Sequence, residues 1–378
     1  MKKPRVLIDV NSIISYIRDG ALSGIGRTTF ELLRQWDSFI DEIPFEIVLY
    51  SQNTKGISPK GIFKFKSIHF FWPDRFKWKK FLYPLRLRRL LTKYDLNHIP
   101  HNVDITEDES RTILTIHDVM AYRFSELWKS SKWALTDNDR HMLEHGANQC
   151  KAIVTCSECS RRDIIQYLNV PGSKVTSIPW GVNREMFKPT NDDEYLKNIG
   201  IEGLYYFTSS ANHPRKNLPL LLESYREYLK LGGRGQLVVL NPEEEHLHGI
   251  IDLIEEGRIV ILRKISDKEL AVLYTNAQCS LVLSSYEGFG LPVLESLACK
   301  TQVICARNSS LVEAGGDIAD FLDEMDEANI AHKMLNYDKS DKASILDTIA
   351  LEQHLRQFSW EECARKYIEF YKVQLGLS

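Results

Sequence analysis

The sequence predicts an α/β protein made of two doubly wound halves, and three observations carry that reading. Short β-branched runs alternate with stretches of helical period, the alternation begins afresh in the second half, and 378 residues exceed the roughly 150 of one such unit. With 43% hydrophobic and 26% charged residues, and Gly 20 and Pro 13 scattered along the chain, the composition is globular and excludes collagen-like, mucin-like and disordered classes.

The first strand is read at residues 6–10, ahead of Asn11 and Ser12. Ser23-Gly24-Ile25-Gly26-Arg27 then reads as a glycine loop preceding a helix, whose apolar face is Phe30, Leu32, Leu33 and Trp36. Further strands are expected at 45–50, 68–71, 113–116, 152–155 and 175–178. After Pro179-Trp180-Gly181 the pattern restarts, with strands at 205–209, 236–240, 259–262, 279–283 and 302–306 and helices at 218–230, 267–275 and 292–298. The domains are therefore read as 1–179 and 180–358, with 179–188 as connector. Residues 359–378 are read as a closing helix, amphipathic through Trp360, Cys363, Tyr367, Phe370 and Tyr371. No repeat of 20–50 residues points to a solenoid. Doubly wound domains bind ligands at the carboxyl ends of their strands, so the expected site is a cleft between the halves, touched by loops from both.

Subtracting 51 acids from 48 bases leaves a net charge of -3, and no global positive field calls for nucleic acid. Seven cysteines, an odd number spread through the chain, fit reduced thiols in a cytosolic compartment. Cys156-x-x-Cys159 has no second ligand pair of the kind zinc needs. The apolar stretch after Met-Lys-Lys-Pro-Arg is interrupted by Asp9, Asn11 and Ser12, unlike a signal peptide, and nothing approaches a membrane span.

The strongest chemical signal is Ser284-Ser285-Tyr286-Glu287-Gly288-Phe289-Gly290-Leu291-Pro292-Val293-Leu294-Glu295, at the end of a predicted strand. Gly288 and Gly290 let the backbone approach a ligand, Pro292 suits a first helical turn, and the amides around Phe289, Gly290 and Leu291 can meet ligand oxygens. A carboxylate accepts two hydrogen bonds side by side, so Glu287 and Glu295 suit two diols of one nucleotide sugar. Taken alone, both are equally well surface acids. Pro214-Arg215-Lys216-Asn217 lies on the first strand-to-helix loop of the second half, where Arg215 and Lys216 can stabilise a departing diphosphate. His117, followed by Asp118, reads either as a structural histidine or as a partner of a sugar hydroxyl. Gly24 and Gly26 read as a turn or a phosphate site at a helix start, and they are not the G-x-G-x-x-G of a dehydrogenase. Residues 60–93 are dense in Lys and Arg, from Lys60, Lys64 and Lys66 through Lys77, Lys79 and Lys80 to Arg88, Arg89 and Lys93, interleaved with Phe and Trp and with Asp74 as their only acid. That stretch suits an anionic bilayer surface or, as the plainer alternative, a solvated helix face over buried aromatics. Single-stranded nucleic acid is a third reading, and no RNA-binding motif accompanies it.

These segments, in this order, resemble glycosyltransferase family 4: Ser23 to Arg27, Thr115-Ile116-His117-Asp118, Val154-Thr155-Cys156-Ser157, Ile178-Pro179-Trp180-Gly181-Val182, Pro214 to Asn217, and Glu287 to Glu295. Phe358-Ser359-Trp360 resembles the family's C-terminal pattern. The resemblance covers nearly the whole chain and implies the GT-B fold of two facing Rossmann-like domains, with the last helix returning to the first domain. It implies a retaining transfer of a hexose from a nucleotide diphosphate sugar to a hydroxyl of a growing glycan, with a preference for mannose from GDP-mannose. Glu287 would contact the transferred sugar, Glu295 the ribose, Lys216 and Arg215 the diphosphate, His117 the donor sugar, and Gly24 and Gly26 the diphosphate and acceptor. Relatives carry Gly-Arg where Ser210 and Ala211 stand here, which leaves the duty of Arg215 open. No cofactor beyond the donor and no metal is expected, because no Asp-x-Asp stands in the expected loops. The implied location is cytoplasmic, peripheral at the inner membrane face, with a glycan or lipid-linked glycan as acceptor. Alternatives are a non-catalytic sugar-nucleotide or glycan-binding protein, or a sugar phosphate synthase or phosphorylase.

Overall fold

The computed structural model describes residues 3–14, 24–53, 58–71, 91–101, 109–125, 134–209 and 213–377. The chain divides into two compact units, Met1–Gly181 with Trp360–Ser378, and Val182–Ser359. In the first unit β1 (Arg5–Asp9), β2 (Glu46–Asn53), β3 (Lys66–Phe71), β4 (Leu96–Ile99), β5 (Thr112–Thr115), β6 (Ala152–Thr155) and β7 (Val175–Ser177) form a parallel sheet in the order β3-β2-β1-β4-β5-β6-β7. Every described pairing is parallel. Strands of such a sheet are covered on both faces, so β5 and β6 are buried along their whole length rather than alternating. Helices α1 (Gly24–Ser38), α2 (Asp137–Gln149) and α3 (Glu158–Leu168) accompany the sheet. Thr136 and Asp139 form a capping box that fixes the start of α2, and the Ser157 hydroxyl caps α3.

The second unit is a parallel sheet of β8 (Tyr205–Thr208), β9 (Gln236–Leu240), β10 (Ile259–Leu262), β11 (Cys279–Val282), β12 (Val303–Ala306) and β13 (Asp320–Leu322) in the order β10-β9-β8-β11-β12-β13. It carries α4 (Leu218–Lys230), α5 (Asp267–Asn276), α6 (Leu291–Ala298), α7 (Glu327–Asp338) and α8 (Thr348–Arg356). Each unit is thus Rossmann-like, as the alternation predicts. The hydroxyls of Tyr206 on β8 and Tyr228 on α4 both donate to Asp338, at 2.7 and 2.8 Å, which ties α4 and α7 to the sheet.

Two strands lie outside the sequence reading. β4 contains Asn97 and His98, polar residues buried to 2% and 1% exposure, and these broke the apolar pattern that marks its neighbours. β13 has three residues and opens on Asp320. A third difference concerns Gly24 and Gly26: α1 begins at Gly24, so both lie within its first turn and not in a loop before it.

The last helix, α9 (Trp360–Leu375), packs its apolar face on the first unit's core. The Trp36 indole donates to the Ala364 carbonyl at 3.0 Å, and the Tyr371 ring packs 5.7 Å from both Trp36 and Phe45. The His98 ring lies between Tyr371 Oη, 2.5 Å from Nδ1, and Thr115 Oγ1, 2.8 Å from Nε2. All seven cysteines are buried thiols outside any disulfide, Cys156 and Cys159 included. Among the described residues, no helix is long and apolar enough to cross a membrane.

Burial first, then the neighbouring His101 and His117, pull His98 down from 6.5 to about 3. Between those values the unfolded chain binds a proton that the native ring refuses, so stability falls as pH drops through 6.5 toward 3. Denaturant unfolding at pH 7 and pH 5 should show a loss of about 2 kcal/mol from this group. His98→Asn should flatten that part of the pH dependence, whatever it does to absolute stability.

Candidate functional site

The second unit's strand order changes direction between β8 and β11, the topological switch point at which such sheets hold ligands beyond their carboxyl ends. Two loops leave the sheet there. The first joins β8 to α4 through a 3-10 turn at Pro214–Lys216, where Arg215 N–H donates to His213 Nδ1 at 3.1 Å. It ends at Asn217, whose left-handed backbone (φ 53°) starts α4 and whose side-chain amide donates to the Leu283 carbonyl on the second loop at 2.8 Å. The Ser285 N–H returns a bond to the Arg215 carbonyl at 2.8 Å. Both loops are thereby tied together by one backbone bond and one neutral side-chain amide before any charged side chain is considered.

Between them lies Glu287, 7% exposed. Its Oε1 is 2.5 Å from Arg215 Nη1 and 2.6 Å from Lys216 Nζ, and it accepts the Ser284 hydroxyl at 2.7 Å. Arg215 Nη1 also donates to the Tyr286 carbonyl at 3.0 Å. Burial alone would raise the Glu287 carboxyl, but the Lys216 and Arg215 charges outweigh it and hold the group at about 2. Lys216 is drawn below its ordinary value by burial, with Glu287 opposing, and burial with the two cations pulls His213 down to about 4. The cluster sets the Arg215 guanidinium and the Lys216 side chain on one carboxylate oxygen, two groups suited to an anionic ligand.

Glu295 sits in α6, 6% exposed, with the Tyr274 hydroxyl of α5 donating toward its Oε2 at 3.3 Å and Ser209 Oγ 2.9 Å from that hydroxyl. Phe289 is buried edge-on to Phe358, ring centroids 6.0 Å apart. Gly290 has φ 110°, and α6 opens immediately after it at Leu291, with Pro292 in its first turn. Arg215, Lys216, Glu287, Phe289, Gly290, Leu291 and Glu295 therefore belong to two adjoining loops and one helix of a single unit.

His117, Gly24 and Gly26 belong to the first unit. His117 follows β5, and its Nε2 donates to the Pro100 carbonyl at 3.2 Å, with its ring edge-on to Trp180 at 5.1 Å. Burial, in part opposed by that hydrogen bond, pulls it down from 6.5 to about 4, so at neutral pH it is an uncharged imidazole. The first helical turns of α1 reach the same place, since Thr28 and Thr29 line a small cavity with His117, Pro100 and Trp180. Ser210 and Ala211 lie outside the described residues, as do 72–90 of the basic aromatic stretch. In the described part of that stretch Phe63 and Phe65 are buried in the core and Lys66 pairs with Glu46 at 2.5 Å. Sequence reading did not single out His213 or Tyr274 and quoted Ser284 only within the motif, because their partners, the Arg215 amide and the carboxylates of Glu295 and Glu287, are set beside them only by the fold.

Two family models match the chain: Glycosyltransferase Family 4 at residues 22–186 and Glycosyl transferases group 1 at residues 191–320. O-antigen chain mannosyltransferase B of Escherichia coli is 26% identical over 379 residues, covering 93% of this chain and 96% of that one. A probable sucrose-phosphate synthase of Thermosipho melanesiensis is 32% identical over 228 residues, 54% of this chain and 51% of the other. Among solved structures, Anabaena HepE in complex with UDP-glucose is similar with a TM-score of 0.71 at 14% identity, over 98% of this chain and 99% of that one. At that identity the likeness speaks for the fold alone.

The glycines of the two units differ in what they permit. A Cβ on Gly290 would lie 2.9 Å from Ala314 Cβ at a left-handed φ, whereas one on Gly24 meets nothing within 4 Å. Gly290→Ala should therefore cost about 2 kcal/mol or more in unfolding experiments, and Gly24→Ala should be neutral to slightly stabilising.

Proposed function

We infer that this chain, which belongs to glycosyltransferase family 4, moves a hexose from a nucleotide diphosphate sugar to a hydroxyl of a growing glycan, with retention at the anomeric carbon. The observation that carries this reading is the pair of cations, Arg215 and Lys216, on one buried oxygen of Glu287 at the switch point. As the glycosidic bond lengthens, the diphosphate gathers negative charge, and a guanidinium fork and an ammonium already fixed in a dry loop stabilise it without reorganising. In the absence of that anion Glu287 is their counter-ion; its Oε2, which takes none of the three bonds to Oε1, is suited to a sugar hydroxyl. Glu295, a buried carboxylate, suits the ribose diol. His117 in its neutral form takes part by hydrogen bonding and not as a charge, and with the first-turn amides of α1 it is assigned to the donor by likeness to the family.

The mannosyltransferase among the relatives supports mannose, and GDP-mannose is the first donor to test, with a cell-surface polysaccharide as the product class. The cationic stretch 60–93 supports a lipid-linked acceptor at the inner membrane face. A second reading, with a sugar phosphate as acceptor, has the probable sucrose-phosphate synthase in its favour. Thermal shift against GDP, UDP, dTDP and ADP sugars separates the donors, since a ligand at a hundred times its Kd stabilises by about 2.7 kcal/mol. Transfer assays with free and phosphorylated sugars then separate the acceptors; a chain that binds a donor yet transfers to neither is a binding protein.

Glu295→Ala should weaken binding of the cognate nucleotide diphosphate about tenfold or more, read by calorimetry, through loss of the acceptor pair. Glu287→Gln should instead lower kcat by at least about tenfold with a smaller change in donor KM. Full activity in both variants would remove the assignment. Because two protein cations are assigned the work a metal does elsewhere, transfer should survive EDTA; a strict and reversible Mg²⁺ or Mn²⁺ requirement would contradict that assignment.

A further inference from the structure

Glu287 is held at its backbone as well as at its carboxylate, and the holding comes from a turn that follows the next strand. After β12 the chain runs through Asn308, Ser309 and Ser310 into a short helix, Leu311–Gly315. The Glu287 N–H donates to Ser309 Oγ at 3.0 Å, and Ser309 Oγ donates to Asn308 Oδ1 at 2.9 Å. Asn308 Nδ2 donates to the Ser284 carbonyl at 3.0 Å, and the Ser284 hydroxyl donates to Glu287 Oε1 at 2.7 Å. These bonds close a ring that leaves Glu287 by its amide and returns to it at its carboxylate. Ser310 adds a bond outside the ring, its buried hydroxyl donating to the Glu287 carbonyl at 2.7 Å.

Two features of this turn run against local preference. A serine preceding a helix ordinarily turns its hydroxyl back on the first-turn amides, but Ser310 makes no such cap bond and gives its hydroxyl to Glu287. Ser309 has φ 47°, a left-handed conformation in which a side chain is strained and glycine is not. Where glycine would be unstrained, Ser309 supplies a hydroxyl that accepts the Glu287 N–H. We propose that Asn308-Ser309-Ser310 is a positioning device for the transfer reaction, holding the Glu287 loop in register so that one carboxylate oxygen meets both cations. This rests on the transfer reading above. The turn touches Glu287 and Ser284, and its role is to act through them.

The test compares Ser309→Gly with Ser309→Ala. Both remove the hydroxyl, but glycine also relieves the left-handed strain and alanine keeps it. The expected result is a kcat at least about tenfold below the parent in both, with donor KM changed less than about threefold, measured with GDP-mannose and UDP-glucose. Tm should diverge, staying within about 2 °C of the parent in Ser309→Gly and falling further in Ser309→Ala. Parental kcat in Ser309→Gly, or a loss of kcat that tracks the loss of Tm across the pair, overturns the proposal. Amide hydrogen exchange of the ligand-free protein supplies an arm that needs no substrate: the Glu287 amide should exchange faster in both variants. Unchanged exchange there overturns the positioning role. A parent inactive on every nucleotide sugar, with the exchange difference present, overturns the transfer reading and leaves the brace standing.

Discussion

Two cations share one carboxylate oxygen in a loop nearly closed to water, and the rest of the second unit is arranged around that fact. Removing three ionised groups from water is costly, and the cost is offset only where the geometry is close to ideal and the remaining donors are satisfied. Arg215 Nη1 adds a second bond, to the Tyr286 carbonyl, and Glu287 takes a third donor from Ser284. A displacement of either loop by an ångström would leave an unpaired buried charge. The loops are accordingly fixed by the Asn217 side chain on the Leu283 carbonyl and by the backbone bond from Ser285 to Arg215, and their helices start from left-handed residues at Asn217 and Gly290 that turn the chain sharply into the helix axis. The strand order that sets β8 beside β11 is the condition for all of it.

The first unit works by a different balance. Its buried polar groups at the strand ends include Asp9 but are otherwise largely imidazoles and hydroxyls, and burial keeps both His98 and His117 uncharged at neutral pH. Such groups can hydrogen-bond a hydroxylated ligand without the desolvation cost that an ion carries. The helix that ends the chain contributes to this core directly, since Tyr371 and Tyr367 pack beside His98, at 5.7 and 5.8 Å between ring centroids. Part of the polar interior of the first unit is therefore built by residues more than 250 positions away in the chain.

Which elements were legible follows from how they bury their residues. β10 is an unbroken apolar run, β6 and β9 are apolar but for Thr155 and Gln236 at their ends, and α4 and α9 carry a clear one-sided pattern, so each is readable from spacing alone. β4 was not, because Asn97 and His98 lie in its middle, and pairing between β1 and β5 makes it a strand in spite of its composition. The start of α1 was misplaced because glycines signal a loop in isolation, whereas here they serve as ordinary first-turn positions. For the site, the carboxylates and the Arg-Lys pair stand out by residue type. The hydroxyls that hold them do not, since serine in a turn is commonplace.

By itself the sequence determined the class of fold, two parallel-sheet units, and the family, because period, punctuation and motif order are local properties that survive without coordinates. It also marked which charged residues sit next to glycine turns. Only the tertiary structure decided that Arg215 and Lys216 converge on a single oxygen of Glu287, that His117 is neutral, and that a turn some twenty residues beyond Glu287 closes a ring of hydrogen bonds on it. These are consequences of burial and of distances between strands that are remote in the chain. Charge state and hydrogen-bond partnership depend on what surrounds a group, and the surroundings exist only once β8, β11 and β12 lie side by side.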